Sequence, residues 1–251
     1  CIPRTTDDDR GHRRSPGGFH GALTQHRACM RLELARVTRP ATITDTQLYR
    51  RLGYALRAGL HSDQRVPAIK RYDEARCNTV LDTLSSTIQV PTLRLNTVSH
   101  SRPFEREDWP AALAQLPEAT QIAWQARIVS LQRVQPVDPT FSQWSIFLIE
   151  RLLARGVPIG AGTDTPIGLG IPGYSLHTEL EFLVQGGMTP QQALYAATVT
   201  PAKFFRMADT SGRVTQGMRA DLVLLGDNPL ADIRHSRSVK AVMLAGEWVR
   251  K

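Results

Sequence analysis

The chain has 251 residues, 41% of them apolar, enough for one large α/β core or an ordinary core with a small appended domain. No run of 18 or more apolar residues occurs, and the charged start from Cys1 to Arg14 has no apolar leader segment, so neither a membrane span nor a secretory signal is expected and the expected location is cytoplasmic. The net charge of +8 is concentrated early: residues 1–70 carry 13 Lys and Arg against 6 Asp and Glu, residues 71–251 carry 18 against 17, and a neutral body without basic helices predicts no nucleic-acid partner.

Residues 1–45 run from Asp7-Asp8-Asp9 through Arg10, Arg13 and Arg14 to Gly17-Gly18 without an apolar period, and are expected to be poorly ordered or foreign to the rest of the fold. Helical spacing begins at Thr46–Ala58, through Leu48, Leu52, Ala55 and Leu56, with Gly59 as C-cap. A second helix is predicted over Asp73–Ser86, followed by a strand at Ile88–Leu93 that Pro91 must terminate or kink. The Pro-punctuated excursion Arg102–Pro139 carries a helix around Ala119–Gln132 and is the kind of segment that covers a site in α/β enzymes.

Helix Ser142–Arg155, closed by Gly156, leads straight into the apolar run Val157–Gly162, one αβ unit of a parallel sheet. A Gly-rich loop follows, then helices over Ser175–Val184 and from Thr189, with Thr189 as N-cap and Pro190 at the first position. From Gly212 onwards the pattern is all β, with strands at Asp221–Leu225, Val239–Leu244 and Trp248-Val249, the last two joined by Ala245-Gly246. A boundary near 210 therefore separates an α/β body, 46–210, from a β unit, 211–251. Cys1, Cys29 and Cys77 are odd in number, far apart and lack CxxC spacing, which argues against a disulfide framework and a zinc knuckle.

Asp164 stands where an apolar strand stops and a Gly-rich loop starts, the carboxyl-end face on which parallel α/β folds bind ligands. On spacing alone it serves equally as an Asx-turn residue before Thr165-Pro166. His177 and Glu179, spaced i, i+2, point to different helix faces and cannot share a metal. His177 and Tyr174 could contact substrate; the plainer expectations are a capping His and a solvated Glu.

An ordered set of motifs carries a family resemblance. It runs through Gly156-Val157-Pro158-Ile159 and Gly162-Thr163-Asp164, then Leu176-His177-Thr178-Glu179-Leu180, Gly187-Met188-Thr189-Pro190 and Ala196-Ala197-Thr198. It continues with Gly212-Arg213-Val214, Ala220-Asp221-Leu222-Val223-Leu224-Leu225 and Asn228-Pro229-Leu230. With these, residues 157–251 resemble the C-terminal third of the amidohydrolase superfamily, in the branch of imidazolonepropionase-like enzymes and metal-dependent Xaa-Pro dipeptidases, and Val90–Leu93 resembles the preceding barrel strand.

The resemblance implies a partial (β/α)8 TIM barrel whose eighth strand ends in Asp164, beside a small β-sandwich portion. It implies hydrolysis of a carbon–nitrogen bond in an amide, cyclic amide or dipeptide, with Asp164 binding a divalent metal, zinc by expectation, and taking a proton from the attacking water. The same Asp chemistry serves a cyclic-amidine or nucleobase deaminase. A zinc site needs further ligands, and the sequence departs from the pattern there: no His-x-His pair occurs, no Lys stands where the bridging Lys belongs, and Arg65 replaces an expected His, leaving His61, four positions early, as the candidate second ligand. The expectation is accordingly an incomplete enzyme acting on a small molecule, or a noncatalytic remnant or interaction protein. Open sheet edges predict a homo-oligomer or aggregation.

Overall fold

The computed structural model describes residues 65–98, 100–134 and 138–250. The predicted helix Thr46–Ala58, the segment 1–45 and His61 lie outside these residues.

The core forms where apolar side chains recur at helical spacing. Helix α1 (Val66–Ile69) is short, and α2 (Glu74–Thr83) starts at Asp73, whose carboxylate accepts the Arg76 amide, and buries Cys77 and Leu81. After α3 (Leu93–Asn96), α4 (Trp109–Leu113) and α5 (Glu118–Gln132) comes α6 (Thr140–Ala154), which buries Trp144, Leu148, Ile149 and Leu152, an i, i+4, i+5, i+8 stripe. Helix α7 (Tyr174–Gln185) answers with Leu180 and Leu183, and these join Cys77, Leu81, Val157, Ile159 and Met188 in one cluster. Helix α8 (Pro190–Ala197) opens with a complete capping box between Thr189 and Gln192 and buries Ala193 and Ala196, and α9 (Val199–Phe204) follows at once.

The two predicted parallel strands are reduced to a single bridge. Gln89 pairs with Ile159 in parallel, through Gln89 N–H to the Pro158 carbonyl at 2.8 Å and Gly160 N–H to the Gln89 carbonyl at 2.8 Å. The ladder goes no further for a physical reason. Pro91 and Pro158 have no N–H to donate, Thr92 turns left-handed at φ 48° and starts α3, and the Ala161 N–H goes instead to the Ala196 carbonyl of α8.

The three-stranded sheet is antiparallel, in the order β1 (Leu222–Leu225), β2 (Val239–Leu244), β3 (Glu247–Arg250). Ala245 and Gly246 both have positive φ, as a tight hairpin between right-twisted strands requires, and Asp221 accepts the Ala245 amide at 2.8 Å. The expectation of an all-β segment after Gly212 is corrected by a 3-10 turn, Ile233–Arg237, which Asp232 caps through the Arg234 amide and which packs on α7. A second cluster joins Trp109, Ala112 and Leu113 of α4 and Ile128 of α5 to Leu169 and Ile171, so the 102–134 excursion lies against the loop after Asp164. Trp109 and Trp124 stack there at 6.4 Å. Among the described residues no helix is long and apolar enough to cross a membrane.

Candidate functional site at the end of the parallel bridge

Two chain segments leave the Gln89–Ile159 bridge in the same direction, and each turns through a left-handed residue, Thr92 on one and Asp164 on the other. Asp164 is half-buried, its φ is 49°, and its carbonyl accepts the Ile167 amide at 3.1 Å. The carboxyl end of a parallel pair is therefore where Asp164 stands.

Around it are two groups, one that sequence reasoning did not single out and one that it expected to be solvated. Arg94, at the start of α3, is only 5% exposed. Its Nε donates to the Thr163 carbonyl at 2.7 Å, its Nη1 to the Gly168 carbonyl at 3.3 Å and its Nη2 to the Ile167 carbonyl. Burial lowers its pKa, while the charges of Glu179 and Asp164 pull it back up. Glu179 of α7 is the second group. The solvated side chain expected there is wrong: Glu179 is 0% exposed, and its two oxygens accept the Leu93 amide at 2.9 Å and the Arg94 amide at 2.7 Å. Burial pushes its carboxyl up to about 7, against those two bonds and the charge of Arg94. A signal for Glu179 did exist, since positions 176, 179, 180 and 183 form one helical stripe and three of them are Leu.

The other polar face of α7 carries Tyr174, His177, Thr178 and Glu181. The Tyr174 hydroxyl donates to Asp108 at 2.6 Å, its ring lies under the Arg237 guanidinium at 4.6 Å, and burial followed by the Asp108 bond raises its pKa to about 12. His177 Nδ1 lies 2.9 Å from Ser236 Oγ, and burial with the charge of Arg237 lowers its pKa. Arg237 also binds Glu181 at 2.8 Å and Thr178 at 2.8 Å, and Arg106 meets the other oxygen of Glu181 at 2.9 Å. So Tyr174 and His177 belong to a network that joins α7 to the 3-10 turn and to the segment before α4, whereas Glu179 faces Asp164's side of the molecule through Arg94.

A divalent ion needs several donors in one place. Among the described residues no group of three or more His, Cys, Asp or Glu side chains could hold a metal ion. The described residues by themselves do not complete a zinc centre, and what they supply is a carboxylate on a loop that Arg94 bonds.

Residues 142–249 match the Amidohydrolase family. Over 92 residues, 36% of this chain and 18% of the relative, the sequence is 42% identical to ochratoxinase of Aspergillus niger. Over 80 residues, 30% of this chain and 19% of the relative, it is 39% identical to imidazolonepropionase of Streptomyces griseus. Among solved structures, a Xaa-Pro dipeptidase with bound methionine is similar at a TM-score of 0.49 and 21% identity, over 73% of this chain and 41% of that one. The chain spans less than a fifth of the length of each of these two curated relatives.

Proposed function

We propose, from the match of residues 142–249 to the Amidohydrolase family, that the chain is part of a hydrolase acting on carbon–nitrogen bonds, with Asp164 as its working carboxylate. The observation that carries the reading is the place of Asp164, on the loop just past the carboxyl end of the Gln89–Ile159 parallel bridge and inside the matched residues. The bridge and the αβ unit before it are assigned to a (β/α)8 barrel, and the antiparallel strands β1 to β3 to a β-sandwich beside it.

Hydrolysis of an amide, cyclic amide or dipeptide needs a group that takes a proton from the attacking water and returns one to the leaving nitrogen. A single carboxylate can do both in turn. Asp164 holds that role, and Tyr174 and His177 are proposed as substrate contacts from their place on the first turn of α7 beyond the loop, where a substrate would have to compete with the bonds they make to Asp108 and Ser236. A divalent ion, zinc by family resemblance, would draw its remaining ligands from residues other than those described, with His61 as candidate.

The shortage of metal donors among the described residues favours a second reading, a noncatalytic protein that keeps the fold. Assays of the chain on N-acyl amino acids and Xaa-Pro dipeptides, together with its zinc content, separate the two. The first reading expects hydrolysis that falls at least about 100-fold in Asp164→Asn, the scale of a lost acid–base group. Undiminished hydrolysis by Asp164→Asn overturns it, and absence of both hydrolysis and bound metal in a version of the chain extended upstream, as well as in the chain itself, establishes the second.

A further inference from the structure

Asp is among the few residues with a β-carbon that visit the left-handed region, and it stays in that conformation where its surroundings hold it. Asp164 holds φ at 49° on a loop whose own backbone supplies little: the Ile167 amide to the Asp164 carbonyl at 3.1 Å and the Gly170 amide to the Ile167 carbonyl at 3.3 Å. Besides the packing of Leu169 and Ile171 in the second cluster, one side chain from outside bonds this backbone. The Arg94 guanidinium reaches the carbonyls of Thr163, Ile167 and Gly168, one before Asp164 and two after it.

The geometry points to Arg94 as the positioning residue of this site: its buried guanidinium fixes the backbone from Thr163 to Gly168, and with it the place of the Asp164 carboxylate. The significance for catalysis rests on the reading of Asp164 given above; the clamp itself does not.

Three further features agree. A planar fork spreads five N–H donors over three nitrogens and so spans carbonyls that lie apart, whereas the three donors of a Lys ammonium all radiate from one nitrogen. Arg94 is itself held at its root, because the carboxylate of Glu179 accepts both the Leu93 and the Arg94 amides. And the loop keeps a space for the guanidinium at Gly170. A Cβ there would lie 2.6 Å from Cζ and Nη1 and 2.7 Å from Nη2, although its backbone, at φ −77° and ψ 117°, would accept any residue. Glycine at 170 is therefore explained by the guanidinium and not by the backbone.

That space supplies a variant that displaces the guanidinium while keeping its charge. In Gly170→Ala the new methyl collides with the far end of Arg94 and with no other side chain among its nearest contacts. Arg94→Lys removes the fork and keeps the charge. Both are made in the full chain beside Asp164→Asn, which also assigns the Asp164 carboxyl carbon resonance by its disappearance. Hydrogen exchange at the Ile167 and Gly170 amides is expected to accelerate at least tenfold in either variant, with the Leu180 and Leu183 amides of α7 unchanged, and the Asp164 carboxyl resonance is expected to move. If both amides and the resonance stay as in the wild type in Gly170→Ala, the inference falls, even where Arg94→Lys does not fold. If they move while Asp164→Asn hydrolyses substrate at the wild-type rate, the clamp stands and the catalytic reading of Asp164 falls.

Discussion

Replacing Glu179 by Gln makes stability depend on pH in a way that isolates one buried carboxyl. Glu179 is 0% exposed and accepts two backbone amides, and burial lifts its pKa from an ordinary 4.5 to about 7. A carboxyl with a higher pKa in the folded than in the unfolded chain stabilises the fold while protonated. The contribution is complete below pH 4.5 and is lost as the pH rises through about 7. At about 1.4 kcal/mol per pH unit, the loss over that window is about 3 kcal/mol.

Gln is neutral throughout and has no such slope, but its amide turns an N–H toward a backbone N–H and leaves a buried donor without an acceptor, at about 1–3 kcal/mol. Glu179→Gln is therefore expected to be the less stable protein near pH 5, by that amount, and to match or exceed the wild type above pH 7. Urea unfolding followed by tryptophan fluorescence from pH 5 to 8 reads the difference, and all other titrating groups cancel between the two proteins. Parallel stability profiles would refute the reasoning, since they would mean that Arg94 and the two amides hold the carboxylate ionised across the range.

Two further outcomes can be checked directly. His177 is held below its ordinary 6.5 by burial and by Arg237, against Glu181 and Asp108, so its stability contribution is full above pH 6.5 and falls as the pH drops toward the folded-state value; a ring titration by NMR should give a midpoint below 6.5, and one above it would show that the two carboxylates outweigh Arg237. Val223 and Leu224 are consecutive residues of β1, so they point to opposite faces, yet they are 58% and 56% exposed, with Trp248 at 48% on β3. Both faces of the sheet thus present apolar surface, and light scattering should find the chain self-associated at micromolar concentration, an expectation that a monodisperse monomer would contradict.

The helices were legible in the sequence because their apolar spacing and their caps agree. Ser142–Arg155 was expected and Thr140–Ala154 is found, Ser175–Val184 became Tyr174–Gln185, and Thr189 caps α8 as its position before Pro190 suggested. The short apolar runs were less legible. Ile88–Leu93 and Val157–Gly162 have strand composition, but a ladder also needs N–H groups in register, and the prolines and the left-handed Thr92 remove them. Of the candidate site, Asp164 stood out from its place after an apolar run, and Glu179 only from its position in the Leu stripe of α7. Arg94 escaped because its partners are backbone carbonyls some 70 positions along the chain, and a carbonyl leaves no mark on residue type.

The residues that match the family do not hold their candidate site by themselves. Thr163, Ile167, Gly168 and Glu179 all lie within 142–249, but the guanidinium that ties the first three together, and the amides that Glu179 accepts, belong to Leu93 and Arg94, well outside the match. The dependence runs both ways. Without Glu179 the left-handed turn at Thr92 and the start of α3 lose two strong acceptors, and without α3 the buried carboxyl of Glu179 has no donor to justify its burial. The family match thus covers the loop that carries Asp164, while the side chain that bonds that loop from outside comes from the segment 89–96.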